Sequence, residues 1–123
     1  MAVIGELLLL LILVVGCHEG AHWLRLRSFG ISARPAVRWY GGFGWAFDGS
    51  ILTAVQRRSV LLVGPLVGAV VWGVLALALP GLRVDLLVLL VADLLANLLI
   101  PGSDGWRCWH RPHAPEARVT LQG

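Results

Sequence analysis

Charge is what this sequence has least of. Charged residues make up 14% of its 123 residues, and lysine is absent, so ten arginines against seven acidic residues carry the net charge of +3. The arginines flank apolar runs and do not form a basic face, a pattern that reads as membrane topology and argues against nucleic-acid binding. Cysteine is scarce as well. Two cysteines, one of them inside an apolar run, cannot make the disulfide framework of a small secreted domain. No internal repeat and no low-complexity segment is visible in the chain. What is abundant is apolar surface, at 58% of residues. A soluble domain of this size could not bury that much, because small domains have a high ratio of surface to volume. These absences leave an integral membrane protein embedded in a lipid bilayer.

Three stretches can span. Ala2 to Cys17 is apolar except for Glu6, and the helix can run on to about Leu26. A helix of that length crosses a hydrocarbon core of about 30 Å at about 1.5 Å per residue. The second span is Val60 to Leu79 and the third Leu82 to Ile100, with Pro80-Gly81 between them, so the two should form an antiparallel hairpin. Pro101-Gly102 should stop the third, since proline blocks helix continuation. Gly64 and Gly68 form a small-xxx-small pair that lets another helix approach closely, and Pro65 can kink the helix between them. Residues 28–58 connect the first two spans. There Val37-Arg38-Trp39-Tyr40 and Phe43-Gly44-Trp45-Ala46-Phe47 flank Gly41-Gly42, which predicts a β-hairpin with a two-residue turn. Trp39, Tyr40 and Trp45 suit the headgroup region, and an exposed strand edge could pair with an extended substrate. Residues 106–123 read as a polar tail. The expected architecture is an all-α integral membrane protein, with three transmembrane helices and a short interfacial β-hairpin between the first and second. Residues 1–123 form a single unit.

The chemistry starts at Gly16-Cys17-His18-Glu19-Gly20-Ala21-His22. On a helix, His18 and His22 lie on one face and can share one metal ion, and Glu19 beside the first ligand can act as a general base. Two histidines and a glutamate at bilayer depth are costly unless they have a task. A rival reading makes Val14-Val15-Gly16-Cys17 a lipoprotein cleavage box, but the preceding segment has no arginine or lysine and carries Glu6. Asp93 lies near the middle of the third span with Asn97 one turn later on the same face, where a carboxylate should look into the bundle or a wet cavity. Cys108, His110 and His113 have ligand-like chemistry, but in a loose tail they do not define a second metal site.

Topology brings in a third ligand. Arg25, Arg27, Arg34, Arg38, Arg57 and Arg58 sit between the first and second spans, Arg107, Arg111 and Arg118 lie in the tail, and Arg83 alone sits in the short turn. By the positive-inside rule the long connection and the tail are cytoplasmic and the N-terminus is outside. Asp104 then follows the third span on the same side on which the His-Glu-x-x-His motif ends the first. Two imidazoles, one carboxylate and an open position make a catalytic zinc site.

Three features, in order along the chain, resemble the site-2 protease family of intramembrane zinc metalloproteases. They are His18-Glu19-Gly20-Ala21-His22, then Arg58-Ser59-Val60-Leu61-Leu62-Val63-Gly64-Pro65-Leu66, then Asn97-Leu98-Leu99-Ile100-Pro101-Gly102-Ser103-Asp104-Gly105. The resemblance implies one zinc per chain on His18, His22 and Asp104, with Glu19 as catalytic base and Asn97 positioning or polarising the substrate or the site. It also implies a strand-forming segment where the hairpin is expected, and a chain close to the bare family core. The spacing from Asn97 to Asp104 is one residue shorter than the family's usual pattern, Ser103 stands where the family commonly has leucine, and Asp93 is the alternative third ligand. The implied function is zinc-dependent intramembrane hydrolysis of peptide bonds in transmembrane substrate proteins near the cytoplasmic face of the cell membrane. The alternative is a catalytically inactive membrane metal-binding or scaffold protein.

Overall fold

The computed structural model describes residues 2–37, 43–48, 51–100, 103–110 and 119–121. Three helices dominate: α1 (Ala2–Ser28), α2 (Ala54–Ala78) and α3 (Arg83–Leu99), with a short 3-10 turn at Pro80–Leu82 between the last two. Two strands, β1 (Arg34–Val37) and β2 (Phe43–Phe47), separate α1 from α2. A short helix α4 (Asp104–His110) and a strand β3 (Val119–Leu121) follow α3. The expected all-α membrane architecture with a hairpin between the first two helices is therefore what the chain adopts. The α1 and α2 helices, and the stretch Pro80–Cys108 that contains α3, are each long and apolar enough to cross a membrane. The protein is of the multi-pass type. Trp39, Tyr40, the Gly41-Gly42 turn, Pro101-Gly102 and His113 lie outside the described residues.

The helix ends follow local chemistry. Gly30 takes a left-handed conformation at φ 74°, and the amides of Gly30 and Ile31 reach back to the carbonyls of Arg27 and Leu26 at 2.9 and 3.1 Å. This is a Schellman ending, with Leu26 and Ile31 joined in one buried apolar cluster. The α2 helix starts six residues before Val60, the expected start of the span. Thr53 caps it through a reciprocal capping box with Gln56, so its first turns are polar and precede the apolar run. Hydropathy marks what can sit in lipid, whereas the cap sets where the helix begins. The connection is shortened accordingly. At the other end of α2, Arg83 Nε donates to the Ala76 carbonyl at 3.2 Å.

Both α1 and α3 pack against α2, which makes it the central helix. Apolar burial drives little association between helices in lipid, so close packing and hydrogen bonds must hold them. Small residues supply the closeness here: Ala21 on α1 and Gly64 and Gly68 on α2 are all buried. Two apolar clusters form. Val14, Trp72, Ala76 and Leu86 fill the end near the 3-10 turn, while Leu26, Ile31, Val60, Leu61 and Cys108 fill the end near the strands.

Two features were not expected. Asp104 opens a helix that runs into the stretch read as a polar tail, and α4 packs against both α2 and α3. Cys108 is buried in the apolar cluster at the strand end, the role of a small hydrophobe. The hairpin also gains a third strand. The order is β1-β2-β3, with Arg34 opposite Ala46 and Trp45 opposite Leu121, both pairings antiparallel. Both sides of β2 are thus paired, and the outer edges belong to β1 and β3.

Candidate metal centre

Two positions four residues apart on one helix and a third position 82 residues further on converge. His18 and His22 project from the same face of α1 toward α2, and Asp104 arrives at the start of α4. His22 Nε2 is 2.8 Å from Asp104 Oδ2, His18 Nε2 is 3.1 Å from the same oxygen, and the two Nε2 atoms are 3.1 Å apart. His22 and Asp104 are almost fully buried, at 1% and 2% exposure. Among the described residues this is the one grouping of three potential metal ligands.

His22 and Asp104 are each held by something identifiable. His22 Nδ1 lies 2.6 Å from the Val60 carbonyl. A carbonyl only accepts, so Nδ1 carries the hydrogen, and in the neutral ring Nε2 is left with a lone pair aimed at the centre. Gly64, one turn on from Val60, sits against the imidazoles. A Cβ there would collide with His22 Nε2 and come within 2.8 Å of His18 Nε2. Asp104 is set by the junction of α3 and α4. The Ser103 hydroxyl lies 2.7 Å from the carbonyls of both Asn97 and Ile100, and the Ser103 amide donates to Ile100 at 3.1 Å. Gly105 packs so tightly that a Cβ would collide with the Asn97 carbonyl.

The donor set fits a divalent cation. Three potential ligand atoms face one another at close range, and with Nδ1 holding the hydrogen of a neutral His22 ring no proton lies between His22 Nε2 and Asp104 Oδ2. Asp104 Oδ1 and Glu19 Oε2 are buried without a hydrogen-bond partner. Two carboxylates in a low-dielectric pocket call for positive charge. Two imidazoles and a carboxylate are a donor set that suits zinc.

Beside the triangle lies a cavity of about 410 Å³ between α1 and α3, floored by Trp72 of α2. His18, Glu19, Asp93, Asn97 and Asp104 reach its wall, and the rest is mostly apolar, with Leu11, Val15 and Leu89 among the lining residues. Glu19 thus shares a cavity with two of the three ligands. The hairpin braces this region, because Trp45 Nε1 donates to the Glu19 carbonyl at 3.1 Å. Asn97 also lines the cavity, but its amide nitrogen is engaged by Asp93, at 3.0 Å from the carbonyl and 3.2 Å from Oδ1. Asp93 itself is not part of the ligand grouping, and Asp104 takes the third position.

The sequence reading missed the parts that are not ligands. Gly64 and Gly68 read as ordinary helix-packing residues, yet Gly64 is shaped around the imidazoles. The glycine pair marks a helix that another helix approaches closely, but not which side chain it meets. Comparison of the chain with protein-family models, with curated proteins and with solved structures gave no match.

Proposed function

We propose that this chain is a zinc-dependent intramembrane endopeptidase of the site-2 protease type. It hydrolyses peptide bonds of transmembrane proteins near the cytoplasmic face of the cell membrane, with its N-terminus outside and its C-terminus in the cytoplasm. The observation that carries the reading is the arrival of Asp104 beside His18 and His22, from 82 residues beyond His22. Helical spacing alone puts the two histidines on one face; the buried carboxylate reaches both of them from another helix. The orientation rests on the arginines that flank the spans.

His18, His22 and Asp104 would hold the ion. The chemistry zinc supplies when bound is that of a Lewis acid: it acidifies a water and polarises the scissile carbonyl. Glu19 is the base. Its carboxylate lines the cavity with one oxygen buried and unpartnered, placed to take a proton from the attacking water and pass it to the leaving amine. Asn97 positions the substrate from the opposite wall through its carbonyl oxygen, since Asp93 occupies its amide nitrogen. The mostly apolar cavity between two spans suits a segment that comes from the bilayer. A helical substrate hides its peptide bonds and must unwind locally before attack.

Purified protein and a model transmembrane substrate provide the test. The wild type should bind one zinc and cleave in a zinc-dependent way. Glu19→Gln should keep its zinc and lose cleavage by at least about 10²–10⁴-fold, the usual contribution of a general base. A variant that cleaves at the wild-type rate would remove Glu19 from the mechanism. A wild type that binds zinc but cleaves nothing would leave a membrane metal-binding protein.

A further inference from the structure

We propose that Asp93 is a positioning residue for His18, holding the ring in its metal-binding orientation through a water lodged over Gly68. The proposal rests on the zinc reading above and extends it to a residue outside the ligand set. It starts from an asymmetry between the two histidines. A metal-bound imidazole almost always donates its other ring N–H to a carboxylate, a carbonyl or a water, which fixes tautomer and orientation. His22 does so directly, through Nδ1 to the Val60 carbonyl. His18 also turns its Nε2 to the centre, and with that nitrogen on the ion its Nδ1 would carry the hydrogen.

That nitrogen looks toward Gly68. A Cβ built on Gly68 would lie 3.6 Å from His18 Nδ1 and 3.4 Å from Asp93 Oδ2. Both polar atoms therefore flank Gly68, and both residues line the same cavity. A donor on one side and an acceptor on the other are the partners a bridging water needs. Asp93 is held ready for it. Asn97 Nδ2 donates to Asp93 Oδ1 at 3.2 Å, which pins one carboxylate oxygen and leaves Oδ2 facing the gap. The arrangement also gives an ionisable group deep in a membrane helix a task.

Zinc affinity of the purified full-length protein in detergent, measured by chelator competition, tests this independently of cleavage. Asp93→Ala removes the acceptor. Gly68→Ala leaves the acceptor in place and fills the gap with a methyl group at ordinary contact distance, so packing tolerates it. Each should weaken zinc binding by about 10–100-fold, the usual cost of losing such a partner. The double variant should be no weaker than either single one, since both break the same link. With cobalt in place of zinc, both single variants should shift the visible ligand-field spectrum in the same direction. Zinc affinities within about twofold of wild type, additive losses in the double variant, or an unchanged cobalt spectrum would each overturn the proposal while leaving the zinc site standing. A wild type that binds no zinc would overturn the site and this proposal together.

Discussion

The two histidines sit in unlike halves of one site. Around His22 the protein is closed: the side chain is 1% exposed, its Nδ1 is bonded to Val60, and Gly64 leaves no room for even a methyl group. Around His18 it is open: the side chain is 13% exposed, it borders the cavity, and Gly68 leaves a methyl-sized gap beside it. Two glycines one turn apart on α2 thus do different things. One lets a ligand pack against helix backbone, and the other keeps space next to a ligand. On the proposed reading, the closed half would fix the ion and the open half would admit a substrate. The closed half lies at the α1–α2 contact, and the open half faces the cavity between α1 and α3.

Gly64→Ala should break the closed half most severely. The new methyl would occupy the position of the His22 ring, so zinc binding should be lost, with an overpacking cost of about 1–3 kcal/mol in stability. Zinc analysis and thermal melting of the variant check both, and retention of full zinc affinity would show that the contact is not as close as described. Ser103→Ala is a milder change on the Asp104 side. It removes the hydroxyl that ties the start of α4 to the end of α3 and should cost about 0.5–1.5 kcal/mol of stability, with a weakening of zinc affinity of up to about tenfold. Thr53→Ala, at the capping box, lies outside both halves. It should lower stability by about 1 kcal/mol and leave zinc affinity unchanged, which makes it the control for general destabilisation.

Much of this arrangement is legible from residue types. The His18–His22 spacing needs only helical periodicity, and the spans need only hydropathy. Asp104 could be placed beside the motif because three crossings bring the ends of the first and third spans to the same side. What could not be read are features that depend on shape. Glycine carries no chemical signal that separates a packing contact from a cradle for an imidazole, and only the approach of His22 to Gly64 makes the distinction. The start of α4 was masked by its short length and by the glycine next to Asp104, although Ser103-Asp104 is a good helix-opening pair. The pairing of β3 with β2 joins segments more than seventy residues apart, and nothing local announces it. The backbone partner of His22 was hidden for a similar reason, because any residue can offer a carbonyl.

The most direct measurement is the zinc content per chain of purified wild type and Asp104→Ala at the same free zinc concentration. The wild type should hold one zinc, and the variant should hold far less, since the buried carboxylate that joins both imidazoles is gone. Equal zinc in the two proteins, or none in the wild type, would contradict a metal centre built from the ends of separate spans.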